Sequence, residues 1–139
     1  MRIIDLLRHK GTDVVTLPPD ATIAEAVALL RDRGIGSIVI SGPDQPVVGM
    51  IWEREVAHSF GRVSPDAPVS EIMKTDFVVS PPETSVEEVA TLMTEHRVRH
   101  VPVVKDGQLR GLVSIGDVVK GRLDELAAER DHLVAYVQS

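Results

Sequence analysis

Apolar positions along this chain change period in the same order twice. Ile23, Ala26, Val27 and Leu30 recur at helical spacing. Thr22 and Glu25 stand three apart at the start of that stretch, the spacing of a capping box, and Gly34 follows as a stop. Two short apolar runs come next, Ile35 to Ile40 and Val47 to Trp52. They predict strands around the turn Ser41-Gly42-Pro43-Asp44. Glu53 to Phe60 returns to a helical pattern. In the second half Val86, Val89, Ala90 and Met93 mark a helix, with Ser85 and Glu88 as its capping box. Val101 to Val104 and Leu109 to Ser114 predict strands joined through Asp106-Gly107, a hairpin signal. A last helix is expected from Ile115 to near Tyr136, with Gly121 as a point where it could break. Leu123, Leu126, Leu133, Val134 and Val137 give it an apolar stripe.

Each half also has a lead segment. Residues 2 to 9 predict a short amphipathic helix through Ile3, Ile4, Leu6 and Leu7, and Val14-Val15-Thr16 predicts a strand. Val69 to Lys74 and Phe77-Val78-Val79 repeat that pair of elements. The opening Pro18-Pro19-Asp20-Ala21-Thr22-Ile23 is echoed by Pro81-Pro82-Glu83-Thr84-Ser85-Val86. The order is β-α-β-β-α, twice. The fold class is therefore α/β (α+β), two duplicated units packed sheet to sheet with a pseudo-two-fold relation. The units are placed at residues 1–61 and 62–125, with 126–139 as an extension of the last helix. The groove between two such units is the natural place for a ligand.

Composition narrows the function classes. A chain of 139 residues with 43% hydrophobic content is the size of one compact domain. Aromatic content is 3%, so the core must be aliphatic. The net charge of -6 disfavours nucleic acid as a partner. There is no cysteine, which excludes disulfides and thiol nucleophiles. No run is long and apolar enough for a membrane span, and the N-terminus does not read as a signal peptide, so a cytoplasmic location is expected. The five histidines show no metal-ligand spacing. Walker-type and Gly-x-Ser-x-Gly motifs are absent, and no catalytic set is visible, so no enzymatic activity is expected.

The run His96-Arg97-Val98-Arg99-His100-Val101-Pro102-Val103-Val104 is followed by Gly111-Leu112-Val113-Ser114-Ile115-Gly116-Asp117. This apolar-Pro-apolar-apolar run, then Gly-apolar-apolar-Ser-x-x-Asp, resembles the tandem CBS-domain family, small stand-alone bacterial type, over roughly residues 1 to 125. The resemblance implies a Bateman module that binds AMP, ADP, ATP or NAD between its units without chemistry, with S-adenosylmethionine ranking behind them. It also implies a disc-like homodimer, and signalling through an unidentified effector protein.

The candidate site residues follow from the repeat. Ser114 and Asp117 stand at a strand-to-helix junction, where a hydroxyl and a carboxylate can hold phosphate and ribose, or can simply cap the helix. The resemblance assigns them to the ligand, and it assigns Arg99 and His100 to phosphate. A solvated basic cluster at a helix end is the other reading of Arg99 and His100, and the better one for His96 and Arg97. The resemblance assigns base reading to the opposite unit, at Ala21, Ile35 and Gly36; Gly36 permits close approach of a ligand, and a simple helix-to-strand turn is its other reading. A second, weaker site would use Glu55, Arg54, Trp52, Thr84 and Val98. There Trp52 replaces the hydroxyl and could stack on a base or block the pocket. Two unequal sites are expected. The rival to a sensor is a structural homodimerisation module with one or both sites inactive.

Overall fold

The computed structural model describes residues 1–138. The helices are α1 (Ile3–Lys10), α2 (Ile23–Arg33), α3 (Glu53–Ser59), α4 (Val86–His96) and α5 (Ile115–Gln138). The strands are β1 (Thr16–Leu17), β2 (Ser37–Ile40), β3 (Gly49–Trp52), β4 (His100–Lys105) and β5 (Gln108–Ser114). One sheet has the order β1-β2-β3, with β1 parallel and β3 antiparallel to β2. The other is the antiparallel pair β4-β5. Two repeats of strands and helices pack sheet to sheet, as the duplicated pattern predicts.

Local chemistry sets the element ends. Thr22 Oγ1 accepts from Glu25 N–H, and Glu25 returns the bond to Thr22 N–H, a complete capping box. At α4 the box is half made: Ser85 Oγ accepts from Glu88 N–H, and among the described residues the Glu88 carboxylate makes no return bond. Asp106 and Gly107 both have positive φ, which makes the two-residue turn that joins β4 to β5. Gly34 and Arg97 end α2 and α4 in the left-handed region.

Several expectations are corrected. Ile35 and Val47 lie outside their strands, which are shorter than the apolar runs, and Val27 is exposed rather than on the core face of α2. Val69 to Lys74 makes one 3-10 turn, Val69–Glu71, instead of a helix like α1. Phe77-Val78-Val79 is not a strand. In the first half Val39 N–H donates to Val15 O and ties β1 to β2. Pro102 stands at the equivalent place and has no N–H to give, so the second-half pairing shrinks to the single bridge Ser80–Val103. The last helix does not break at Gly121. A Cβ there would come within 2.8 Å of Leu6 Cδ2, so the glycine lets α1 lie close against α5.

The lead segments exchange halves. Ile3 and Leu7 of α1 enter a core with Val86, Val89, Met93, Val101, Val103, Val113 and Val118. Val69 instead enters the first-half core of Ala26, Leu30, Ile38, Ile40 and Ile51. The backbone contacts match. Ile3 N–H donates to Thr84 O as Val69 N–H donates to Ala21 O, and Ile4 to Pro82 as Ser70 to Pro19. Val86 N–H donates to Met1 O as Ile23 N–H donates to Ala67 O. A third cluster, Val39, Val47 and Met50 with Phe77, Val104, Leu109 and Leu112, joins the two sheets.

Leu7 should therefore carry stability for the second half, although it precedes the first. Leu7 is 3% exposed, so Leu7→Ala is expected to cost about 2–5 kcal/mol in urea unfolding. A Cβ on Gly111 would meet Leu7 Cδ2 at 2.7 Å, so Gly111→Val is expected to lose about 1–3 kcal/mol as α1 is pushed away. Unchanged unfolding midpoints in both variants would contradict the exchanged packing.

Candidate functional site

A cavity of about 740 Å³ opens between the halves. The first half contributes Gly36 before β2, and Trp52, Glu53 and Arg54 at the β3–α3 junction. The second half contributes Met93, Thr94 and Arg97 from the end of α4, Val98, Arg99 and His100 leading into β4, and Ile115 at the start of α5. The same backbone bond closes both sides: Glu53 N–H donates to Gly36 O, and Ile115 N–H to Arg99 O. Each helix start is thereby pinned to the loop that precedes the opposite strand of its hairpin.

The halves meet across the cavity through a side-chain bond. Trp52 Nε1–H donates to His100 Nδ1 at 3.1 Å. This requires an unprotonated Nδ1 on His100. Burial pushes the His100 pKa below its ordinary 6.5, and the charges of Lys10 and Arg99 push the same way against the opposing pull of Asp117. His100 is thus held neutral, as the bond from Trp52 demands.

Ser114 and Asp117 sit beside the cavity at the start of α5. They cap each other: Ser114 N–H donates to Asp117 Oδ2 at 2.9 Å, and Asp117 N–H donates to Ser114 Oγ at 3.1 Å. Lys10 Nζ reaches across from α1 to Asp117 Oδ2 at 2.6 Å and to Leu112 O at 2.9 Å. Burial alone would raise the Asp117 pKa. The hydrogen bonds from Lys10 and Ser114 outweigh it and hold the carboxyl below its ordinary value. Asp117 Oδ1 makes no hydrogen bond among the described residues.

The remaining candidates are placed as follows. Arg99, His100 and Gly36 line the cavity together with Trp52, Arg54 and Val98, so residues expected at two sites line one cavity. Ala21 is buried, with its N–H bonded to Pro18 O and its carbonyl to Val69 N–H. Ile35 N–H bonds to Leu30 O, and Thr84 O accepts from Ile3 N–H. None of these three lines the cavity. Glu55, with a side chain 5% exposed, accepts from Trp52 N–H and pairs with Arg54 at 3.3 Å. Residue-by-residue reading of the sequence missed Lys10, because nothing local says that α1 crosses to the other half. It also set Arg97 aside as a helix-end cation. Its alignment with Gly34 in the repeat was the available signal. Among the described residues no group of three or more His, Cys, Asp or Glu side chains could hold a metal ion, and no helix is long and apolar enough to cross a membrane.

Comparison with known proteins agrees with this architecture. The family model described as the CBS domain matches residues 5–59 and 69–124. The chain is 33% identical over 120 residues to CBS domain-containing protein YhcV of Bacillus subtilis, covering 84% of each. It is similar to the crystal structure of a CBS-domain protein of Agrobacterium tumefaciens, with 39% identity, a TM-score of 0.80, and coverage of 87% of this chain and 92% of that one. A CBS-domain protein of Pyrobaculum aerophilum, solved in complex with AMP, matches at 31% identity and a TM-score of 0.80, over 92% of this chain and 99% of that one.

The Trp52–His100 bond makes a pH prediction. His100 resists protonation in the fold, whereas the unfolded chain takes up that proton near 6.5. The unfolded state then binds more protons, so this contribution is present above 6.5 and stability falls as the pH drops below it. NMR titration of His100 should give a pKa below 6.5, and His100→Gln should weaken the acid-side loss of thermal stability relative to the native chain. A His100 pKa at or above 6.5 would contradict the buried neutral ring.

Proposed function

The chain belongs to the CBS-domain family, and from that membership we propose that it is a non-catalytic sensor that takes one adenine nucleotide in the cavity between its halves. The observation that carries the reading is the pairing of His100 with Ser114 across β4 and β5, which sets the Ser114–Asp117 junction next to Arg99, His100 and Ile115 of the cavity lining, although neither Ser114 nor Asp117 lines it. The AMP complex of the Pyrobaculum relative supports it. A 740 Å³ cavity lies in the ordinary range for a small-molecule site. AMP, ADP, ATP and NAD are the candidates. S-adenosylmethionine ranks behind them, because its sulfonium charge suits an arginine-lined wall poorly.

In this reading Asp117 Oδ1 accepts from the ribose, and Lys10 holds the other carboxylate oxygen ionised and in place. Arg99 takes phosphate. His100 joins it by taking up a proton, which the anion favours, and so releases Trp52. Met93, Val98 and Ile115 offer apolar surface to the base. The proposed second site is left empty, since the Glu55 carboxylate is committed to Trp52 N–H and Arg54. Ligand binding shifts the packing of the halves by its differential affinity for the two arrangements.

The second reading is a structural homodimerisation module. One observation favours it: Leu123, Leu126, Leu133 and Val137 stand exposed along α5, with Leu133 65% exposed. Their spacing is that of a helix-pairing seam, and a second copy is the partner it fits. The two readings are compatible, with the dimer passing the signal to an effector.

Calorimetry with AMP, ADP, ATP, NAD and S-adenosylmethionine separates them. The sensor reading expects one ligand per chain. Asp117→Asn, which can still accept from Ser114 N–H, should weaken binding about ten-fold or more, consistent with ~1.5–3 kcal/mol for a charged hydrogen bond. A folded dimer that gives no heat with any of the five would favour the structural module.

A further inference from the structure

Arg97 adopts a backbone conformation that its place in the fold assigns to glycine. It ends α4 at φ 54° and ψ 42°. Its counterpart in the repeat, Gly34, ends α2 at φ 61° and ψ 38°. Glycine takes this conformation without crowding, whereas a Cβ is strained in it. The arginine gains nothing visible in return from the fold. Its side chain is exposed and makes no hydrogen bond or ion pair among the described residues. Strain held without a structural return points to a ligand.

The surroundings say which kind. Arg97 lines the cavity with Arg99, which is also unpaired among the described residues, and with Arg54. Glu53 is the one carboxylate among the lining residues, and Arg54 is partly neutralised by Glu55 at 3.3 Å. Three guanidinium groups line the cavity against one lining carboxylate, and Asp117 beside it is already paired with Lys10, which leaves a cationic opening in a chain whose net charge is -6. Guanidinium forks pair bidentately with phosphate oxygens and keep their charge at every physiological pH. A nucleoside monophosphate uses one or two of them. A second or third phosphate is needed to engage the rest.

We propose that Arg97 is a ligand-selecting residue which, with Arg99 and Arg54, makes this cavity prefer nucleoside di- and triphosphates to the monophosphate. The inference rests on the adenine-nucleotide reading above and names the class of ligand within it. Arg99 holds the phosphate nearest the ribose, and Arg97 and Arg54 take the phosphates beyond it.

Calorimetry in magnesium-free buffer, with AMP, ADP and ATP, tests this on the native chain, Arg97→Gly and Arg97→Lys. Glycine suits the backbone at this position, so Arg97→Gly should fold with an unchanged or raised melting temperature. The native chain should bind ADP and ATP about ten-fold or more tighter than AMP, the scale of one charge-assisted hydrogen bond. Arg97→Gly should bring that ratio near one through weaker ADP and ATP binding, with AMP little changed, and Arg97→Lys should keep part of it. A native chain that binds AMP as tightly as ADP and ATP overturns the inference and leaves the nucleotide reading intact. So does an Arg97→Gly variant with the full preference. A folded native chain that binds no adenosine ligand overturns the reading itself, and the inference with it.

Discussion

The fold depends on a reciprocal exchange: the lead segment of each half completes the core of the other. Ile3 and Leu7 close the second-half core, and Val69 closes the first. A two- or three-stranded sheet with two helices buries too little apolar surface to stand alone. The exchange supplies what is missing, and it fixes the halves face to face while doing so. Gly49 and Gly111 occupy equivalent places on β3 and β5, and each admits a side chain of the exchanged segment, Met73 on one and Leu7 on the other. Bulk at either place would press on the crossing chain. The cavity between the halves is a consequence of this arrangement and lies where the two hairpins face each other.

The exchange also reaches the candidate site. Lys10 can hold Asp117 because α1 crosses to the second half. Trp52 can meet His100 because the sheets face each other at the cavity. The same scaffold thus carries different chemistry on its two sides. At the second-half junction Ser114 and Asp117 cap each other reciprocally. At the first-half junction Trp52 has no hydroxyl to offer, and Glu55 is spent on the backbone and on Arg54. Ser37, which pairs with Trp52 in the sheet, is buried where the second half has His100. Divergence between the copies, rather than the duplication itself, makes the two junctions chemically unequal.

Much of the fold was legible because its signals are local. Periodicity placed all five helices, the Thr22–Glu25 box marked the start of α2, and Asp106-Gly107 marked the β4–β5 turn. The 3-10 turn at Val69–Glu71 and the missing strand at 77–79 were less legible. The second depends on a hydrogen bond that Pro102 cannot donate to a segment distant in sequence. Gly121 resembles a helix breaker until α1 is seen lying against it. At the site, motif and repeat together pointed to Arg99, His100, Gly36, Trp52, Arg54 and Val98, which line one cavity. Lys10 was hidden because its role depends on a crossing that no local pattern encodes, and Arg97 because its significance lies in its backbone conformation.

The central claim is that the ligand enters between the halves at the Trp52–His100 junction. The chain has one tryptophan, so its indole N–H gives a single NMR resonance. Addition of ADP should move that resonance along a saturable curve, with the same affinity that calorimetry gives, as the bond to His100 is replaced. An indole resonance that stays in place while calorimetry reports ADP bound would put the ligand elsewhere and contradict the account.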